Sequence, residues 1–263
     1  MPEQKTEGRW DGRHALVTGA GGGIGAAVAR ALAARGAKVS LAGRRRDRLD
    51  AVGKTLAGET QSVAFDVTDA AAVAAGVKSA IAALGPIDIL VNNAGQAPSA
   101  PFLKTSLETW NTAISVDLTG VFIVTQAVLP GMLGRGYGRI ISIASTAGLI
   151  GYPYVAAYVA AKHGVVGLTR ALAIEVARKG VTVNAVCPGF TETPLLEEAV
   201  ANIVRTTKQD AASARALLAA NNPQGRFVTP EEVADAVLWL ASPGAGAING
   251  QAIPVAGGEV MAG

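Results

Sequence analysis

Tyr158 and Lys162 stand four residues apart in Tyr158-Val159-Ala160-Ala161-Lys162, a spacing that puts both side chains on one face of a helix. A phenol with an ordinary pKa of about 10 exchanges protons poorly near neutrality, and a nearby ammonium favours its ionised form. The pair is therefore expected to make Tyr158 a general acid or base whose pKa is lowered by Lys162. Taken alone, the same spacing arises by chance as a surface pair, so its surroundings must carry the reading. Ser145 supplies such surroundings. It ends an apolar run in Ile143-Ala144-Ser145-Thr146-Ala147-Gly148, and a hydroxyl at the carboxyl edge of a parallel sheet can hold a substrate oxygen. Thr146 is the alternative hydroxyl, and starting the loop is the plainer role for either.

A second group of residues suits an anion. Thr18-Gly19-Ala20-Gly21-Gly22-Gly23-Ile24-Gly25 directly follows the first apolar run and leads into an Ala-rich helix. Glycines allow close backbone approach, and a helix N-terminus presents free N–H groups and a favourable dipole to a pyrophosphate. Tight turns also select glycine, so the position between strand and helix is what points to a dinucleotide. At the end of the second strand, where NAD-preferring folds place an acid, the chain reads Ala42-Gly43-Arg44-Arg45. A guanidinium at Arg44 suits a 2′-phosphate, so NADP is expected, with NAD as the alternative. The plainer reading is that Arg44 to Arg46 begin a solvated helix. Asp66, in Phe65-Asp66-Val67, either accepts from an adenine amino group or caps the helix starting near Thr68. Asn92-Asn93-Ala94-Gly95 offers amides beside the nucleotide crevice, or ties strands together.

These residues need a scaffold, and the spacing of apolar residues describes one. Strands are expected at 14–18, 38–42, 62–66, 87–92, 139–144, 182–187 and 251–255, with helices at 25–35, 47–56, 70–84, 106–133, 154–178 and 230–241. That alternation predicts an α/β fold, a doubly wound parallel sheet formed by residues 1–263 as a single domain. Residues 190–222 break the rhythm with helical pieces at 194–206 and 210–221. An insertion of this size reads as a small helical lid over the substrate, the alternative being a surface hairpin with a packing role.

Composition narrows the classes of function. Half of the 263 residues are hydrophobic, enough for a substantial core, and the single cysteine, Cys187, excludes an intrachain disulfide and argues against a structural metal site. The net charge of +3 is scattered apart from Arg44 to Arg46, and aromatics make up only 5%, which favours small molecules over nucleic acid. Residues 1–9 are polar, without an apolar leader, and no apolar run is expected to reach the length of a membrane span. A cytoplasmic protein with no membrane partner is expected. His14 opens a buried strand and His163 points away from the Lys162 face, so neither is given a role.

The glycine turn, Asn92-Asn93-Ala94-Gly95, Ser145 and the Tyr158–Lys162 pair, in this order, closely resemble the short-chain dehydrogenase/reductase family of the compact type. The likeness spans residues 14–258 and includes Val183-Asn184-Ala185-Val186-Cys187-Pro188-Gly189, Thr191-Glu192-Thr193, Asn249-Gly250-Gln251 and Gly257-Gly258. The resemblance implies a Rossmann fold and a ketone–alcohol oxidoreductase in which Tyr158 protonates the carbonyl oxygen, Ser145 stabilises it, and Lys162 lowers the Tyr158 pKa and holds the nicotinamide ribose. It implies that Gly19, Gly23 and Gly25 shape the pyrophosphate turn, that Asp66 and Asn93 contact the adenosine side, and that Thr193 meets the carboxamide or phosphates. Gly21, Gly22, Ile24, Val67, Ala94, Gly95, Pro188, Gly189 and Thr191 complete the implied cofactor set. Where many members carry asparagine as a catalytic residue, this chain has Asp117, in Val116-Asp117-Leu118-Thr119-Gly120. The runs around Ser145 and Cys187 look like 3-oxoacyl-thioester reductases and polyketide ketoreductases, which implies a ketone or a CoA or carrier-protein thioester as substrate. Rival readings are an NAD-dependent secondary alcohol or 3-hydroxyacyl-CoA dehydrogenase and a non-catalytic dinucleotide-binding scaffold. The surplus apolar positions on helices 106–133 and 154–178, together with the resemblance, imply a homotetramer.

Overall fold

The short apolar runs form seven parallel strands: β1 His14–Thr18, β2 Lys38–Gly43, β3 Thr60–Ala64, β4 Ile87–Asn92, β5 Gly138–Ile143, β6 Val181–Pro188 and β7 Ala252–Val255. The structure is a computed structural model describing residue 10 and residues 12–261; the polar stretch 1–9 lies outside the described residues. The strands lie in the order β3-β2-β1-β4-β5-β6-β7, so the winding reverses between β1 and β4 and opens a crevice at their carboxyl ends. β1, β4, β5 and β6 are buried along their whole length, which is why they read as unbroken apolar runs.

Helices cover both faces: α1 Gly23–Ala34, α2 Arg46–Gly53, α3 Ala70–Leu84, α4 Leu107–Ile114, α5 Gly120–Arg135, α6 Ala156–Val176, α7 Pro194–Thr207, α8 Ala211–Ala219 and α9 Pro230–Ala241. On one face, Leu32 of α1 and Val237 and Leu240 of α9 pack over Val17, Leu41 and Ile89. On the other, Val77 of α3 and Val128 and Met132 of α5 pack over Leu16, Leu90 and Ile140. The α7–α8 pair has a smaller apolar centre of its own, Leu196, Val200, Ala214 and Phe227.

Four expectations need correction. The helix expected at 106–133 is α4 and α5 joined by a π turn, Ser115–Thr119, whose wider backbone carries Asp117. With that turn the run Leu107–Arg135 is, by length and composition, long enough to cross a bilayer, contrary to the expectation that no run reaches that length. In this fold its α5 half packs against the sheet, and Asp117 is buried in the turn before it. β3 runs from 60 to 64 rather than 62 to 66, because its register with β2 pairs Val39 with Thr60 and Gly43 with Ala64; Asp66 therefore lies in the following loop. Finally, α6 begins at Ala156 rather than 154, since Tyr154 has φ +69, a left-handed conformation that a right-handed helix cannot include.

Candidate active site

The first turns of α6 bring Tyr158 and Lys162 under the carboxyl end of β5. Lys162 is 4% exposed, and its Nζ donates to Ile143 O at 3.0 Å. The same ammonium lies 3.5 Å from Asp117 Oδ1 and 5.5 Å from the centre of the Tyr158 ring. Ser145 follows β5 directly. Its Oγ accepts from Ala147 N at 3.0 Å and so starts the turn Thr146–Gly148, while its hydroxyl also acts on the Tyr158 phenol. The hydroxyl expected to hold a substrate oxygen and the loop starter are one and the same side chain.

The electrostatics differ from expectation. Burial pushes the Tyr158 phenol up; Lys162 and Ser145 pull it down, while Asp117 and Cys187 push it further up, and the net direction is upward. Lys162 alone was expected to lower it. Burial is the main reason; the ammonium is also shared with Asp117, which offsets part of its field at the phenol. Asp117 is fully buried; Oδ1 accepts from Gln96 N at 3.0 Å, whereas Oδ2 is buried without a hydrogen-bond partner among the described residues. Burial pushes this carboxyl up, against the pull of Lys162 and the Gln96 amide. Gly95 makes the pair fit, since a Cβ there would lie 2.6 Å from Asp117 Oδ1. This ion pair was not legible in the sequence, where Asp117 stood only as a departure from asparagine.

At the other end of the crevice, Gly19 has φ +63, and a Cβ on it would come 2.7 Å from Asn93 Nδ2. That amide donates to Thr18 O at 2.9 Å and Gly19 O at 3.3 Å, while Thr18 Oγ1 accepts from the backbone N of Asn93 and of Ala94. The tying role thus describes Asn93 well. α1 begins at an N-cap, Gly22, with no side-chain cap and no acid in its first turn, whereas Asp69, Thr193 and Thr229 cap α3, α7 and α9. Its first N–H groups are thereby left for an anion, and the donor set fits a dinucleotide pyrophosphate.

Arg44 is exposed beyond β2. It helps to lower the Asp66 carboxyl, although the main cause is the hydrogen bond from Thr68 N at 2.9 Å. Asp66 therefore holds its own loop, and the helix cap is Asp69. Val67 is buried against Gly120. Arg48, which the sequence did not single out, lies beside the turn: its Cβ would be 3.1 Å from a Cβ on Gly21. Pro188 ends β6, Thr191 Oγ1 donates to Gly189 O at 2.9 Å, and Thr193 caps α7 with its methyl 3.3 Å from where a Gly23 Cβ would stand. The N-terminus of α7 thus meets the glycine turn. His14 bonds Gly85 O and Ser40 Oγ inside the sheet, and His163 is exposed, so both stay outside the site. One polar cluster escaped the sequence altogether: Tyr152 joins Thr146 to Glu259, residues that no motif links.

The model of the short chain dehydrogenase family matches residues 13–203. The chain is 44% identical over 252 residues to granaticin polyketide synthase putative ketoacyl reductase 1 of Streptomyces violaceoruber, covering 93% of this chain and 92% of that protein. It is 39% identical over 252 residues to the 3-oxoacyl-acyl-carrier-protein reductase FabG of Escherichia coli K12, covering 96% and 99%. A crystal structure of a variant actinorhodin polyketide ketoreductase with NADPH superposes with a TM-score of 0.89 at 40% identity, over 94% of this chain and 97% of that one.

Proposed function

The chain belongs to the short-chain dehydrogenase family, and on that premise we propose that it reduces a ketone to a secondary alcohol, with NADPH as cofactor and a 3-oxoacyl thioester as substrate class. The observation that carries this reading is the convergence of Ser145, Tyr158 and Lys162 at the carboxyl edge of the sheet, in a crevice whose other end holds the uncapped N-terminus of α1. NADPH, when bound, supplies the hydride that reaches the carbonyl carbon. Ser145 holds the carbonyl oxygen and Tyr158 gives it a proton, while Lys162 steadies the phenolate left behind. Burial keeps the Tyr158 proton in place at neutrality, the form from which reduction starts, and the pull of Lys162 and Ser145 eases its transfer. Oxidation, which needs the phenolate, calls for higher pH.

The glycine turn holds the pyrophosphate through backbone N–H groups, and Arg44 with Arg48 beside it receives the 2′-phosphate. Residues 190–222 act as the lid, since the cap of α7 adjoins the glycine turn. The enzyme works in the cytoplasm on a small molecule, with neither nucleic acid nor membrane as partner. It assembles as a homotetramer; Leu103 at 97% and Ile174 at 81% exposure are apolar surface that subunit contact would cover. Rates with NADPH and NADH across acetoacetyl-CoA, longer oxoacyl thioesters and cyclic ketones, with secondary alcohols in reverse, test the proposal. Equal or faster rates with NADH discard the cofactor reading, and no turnover of any thioester discards the substrate class.

A further inference from the structure

Just beyond Ser145, two distant parts of the chain meet in a polar cluster. The Tyr152 hydroxyl lies 2.8 Å from Thr146 Oγ1 and 2.5 Å from Glu259 Oε1. A phenol carries one proton, so beside an ionised Glu259 it donates to the carboxylate while the Thr146 hydroxyl turns to donate to the phenol oxygen. Glu259 arrives from beyond β7, 107 residues from Tyr152, and a place is made for it: a Cβ on Gly189 would stand 2.8 Å from Glu259 Oε2. Phe190 closes the other side, edge-on to Tyr152 with ring centres 6.2 Å apart.

This cluster adjoins the reaction centre. Thr146 follows Ser145 in the chain, and the Tyr158 phenol acts on the Tyr152 phenol through its charge. Glu259 is only half-buried, with Oε1 held by Tyr152 and Oε2 lying over Gly189. Burial pushes that carboxyl up and the bond from Tyr152 pulls it back.

We propose that Glu259, held by Tyr152, is a specificity-determining residue whose negative charge admits neutral 3-oxo esters and thioesters and turns away ketones carrying a free carboxylate near the carbonyl. The inference rests on the ketone-reductase reading above. In a thioester the carbon two positions from the ketone bears neutral sulfur, whereas in the free acid it bears a full charge. Two like charges one small molecule apart, at the screening of a protein surface, amount to about a tenfold difference in selectivity.

The test compares kcat/KM for ethyl acetoacetate and for acetoacetate at saturating NADPH, in the wild type, Glu259→Gln and Tyr152→Phe. The wild type should prefer the ester. Glu259→Gln should narrow that ratio about tenfold, mainly through a lower KM for the acid, and Tyr152→Phe should narrow it in the same sense by releasing the carboxylate. An unchanged ratio in Glu259→Gln overturns the inference alone. A wild type inert toward both compounds overturns the ketone-reductase reading and this inference with it. A measurement on the unmodified enzyme guards against a variant that fails to fold: added salt should raise kcat/KM for acetoacetate and not for the ester, and no such difference would also overturn the proposal.

Discussion

Lys162 serves two oxygens of opposite consequence, the phenol it helps to ionise and the carboxylate that draws on its charge. Asp117→Asn removes a negative neighbour of Tyr158, so the phenolate becomes easier to form and the phenol pKa falls. The pH profile of kcat/KM for alcohol oxidation should therefore move to lower pH in that variant; an unmoved profile would show that Asp117 has no electrostatic hold on Tyr158. Lys162→Met acts in the other direction on the fold. It leaves a fully buried Asp117 without its cation, a change expected to cost about 3–5 kcal/mol in urea unfolding as well as activity. Gly95→Ala tests the same pair from the side, because the new methyl must displace Asp117 Oδ1. Reduced kcat for ketone reduction is the expected result, and wild-type turnover would show that the pair tolerates the shift.

At the scale of elements, what could be read in the sequence was what local chemistry determines. The glycine turn lies between β1 and α1 because only a strand, a turn without side chains and a helix can follow one another there, and that order is written in consecutive residues. The π turn at Ser115–Thr119 was not legible, since an inserted helical residue leaves the apolar spacing nearly unchanged and is chosen by how Asp117 reaches Lys162 and Gln96. The start of α6 was missed for a similar reason: the left-handed Tyr154 is held by its contact with a distant segment, Ala100 N donating to Tyr154 O at 2.8 Å. α9 offers a direct check on local chemistry. Thr229 and Glu232 form a reciprocal cap, and Arg226 bonds both carboxylate oxygens, holding Glu232 at about 2. A carboxyl lowered on folding adds stability above its unfolded pKa and loses it as pH falls through its folded one. The melting temperature advantage of wild type over Glu232→Gln should thus be full at pH 6 and shrink between about pH 4.5 and 2. Thr229→Ala should cost about 1 kcal/mol by removing the other half of the cap.

For the whole molecule, seven parallel strands set one reaction edge, and segments far apart in sequence meet along it. That convergence explains which site residues were visible beforehand: Tyr158 and Lys162 share a helix turn, whereas Glu259 joins Tyr152 only once β7 has docked on β6. The exposed apolar side chains Phe102, Leu103, Leu107 and Ile174 leave surface for other subunits, so sedimentation at micromolar concentration should give a tetramer, and monomer alone would contradict that assembly.

The proposed reduction depends above all on Tyr158 as the proton donor to the substrate oxygen. Tyr158→Phe should bind NADPH as the wild type does, followed by nicotinamide fluorescence, yet reduce acetoacetyl-CoA at least about 100-fold more slowly. NADPH oxidation by this variant at the wild-type rate would contradict it.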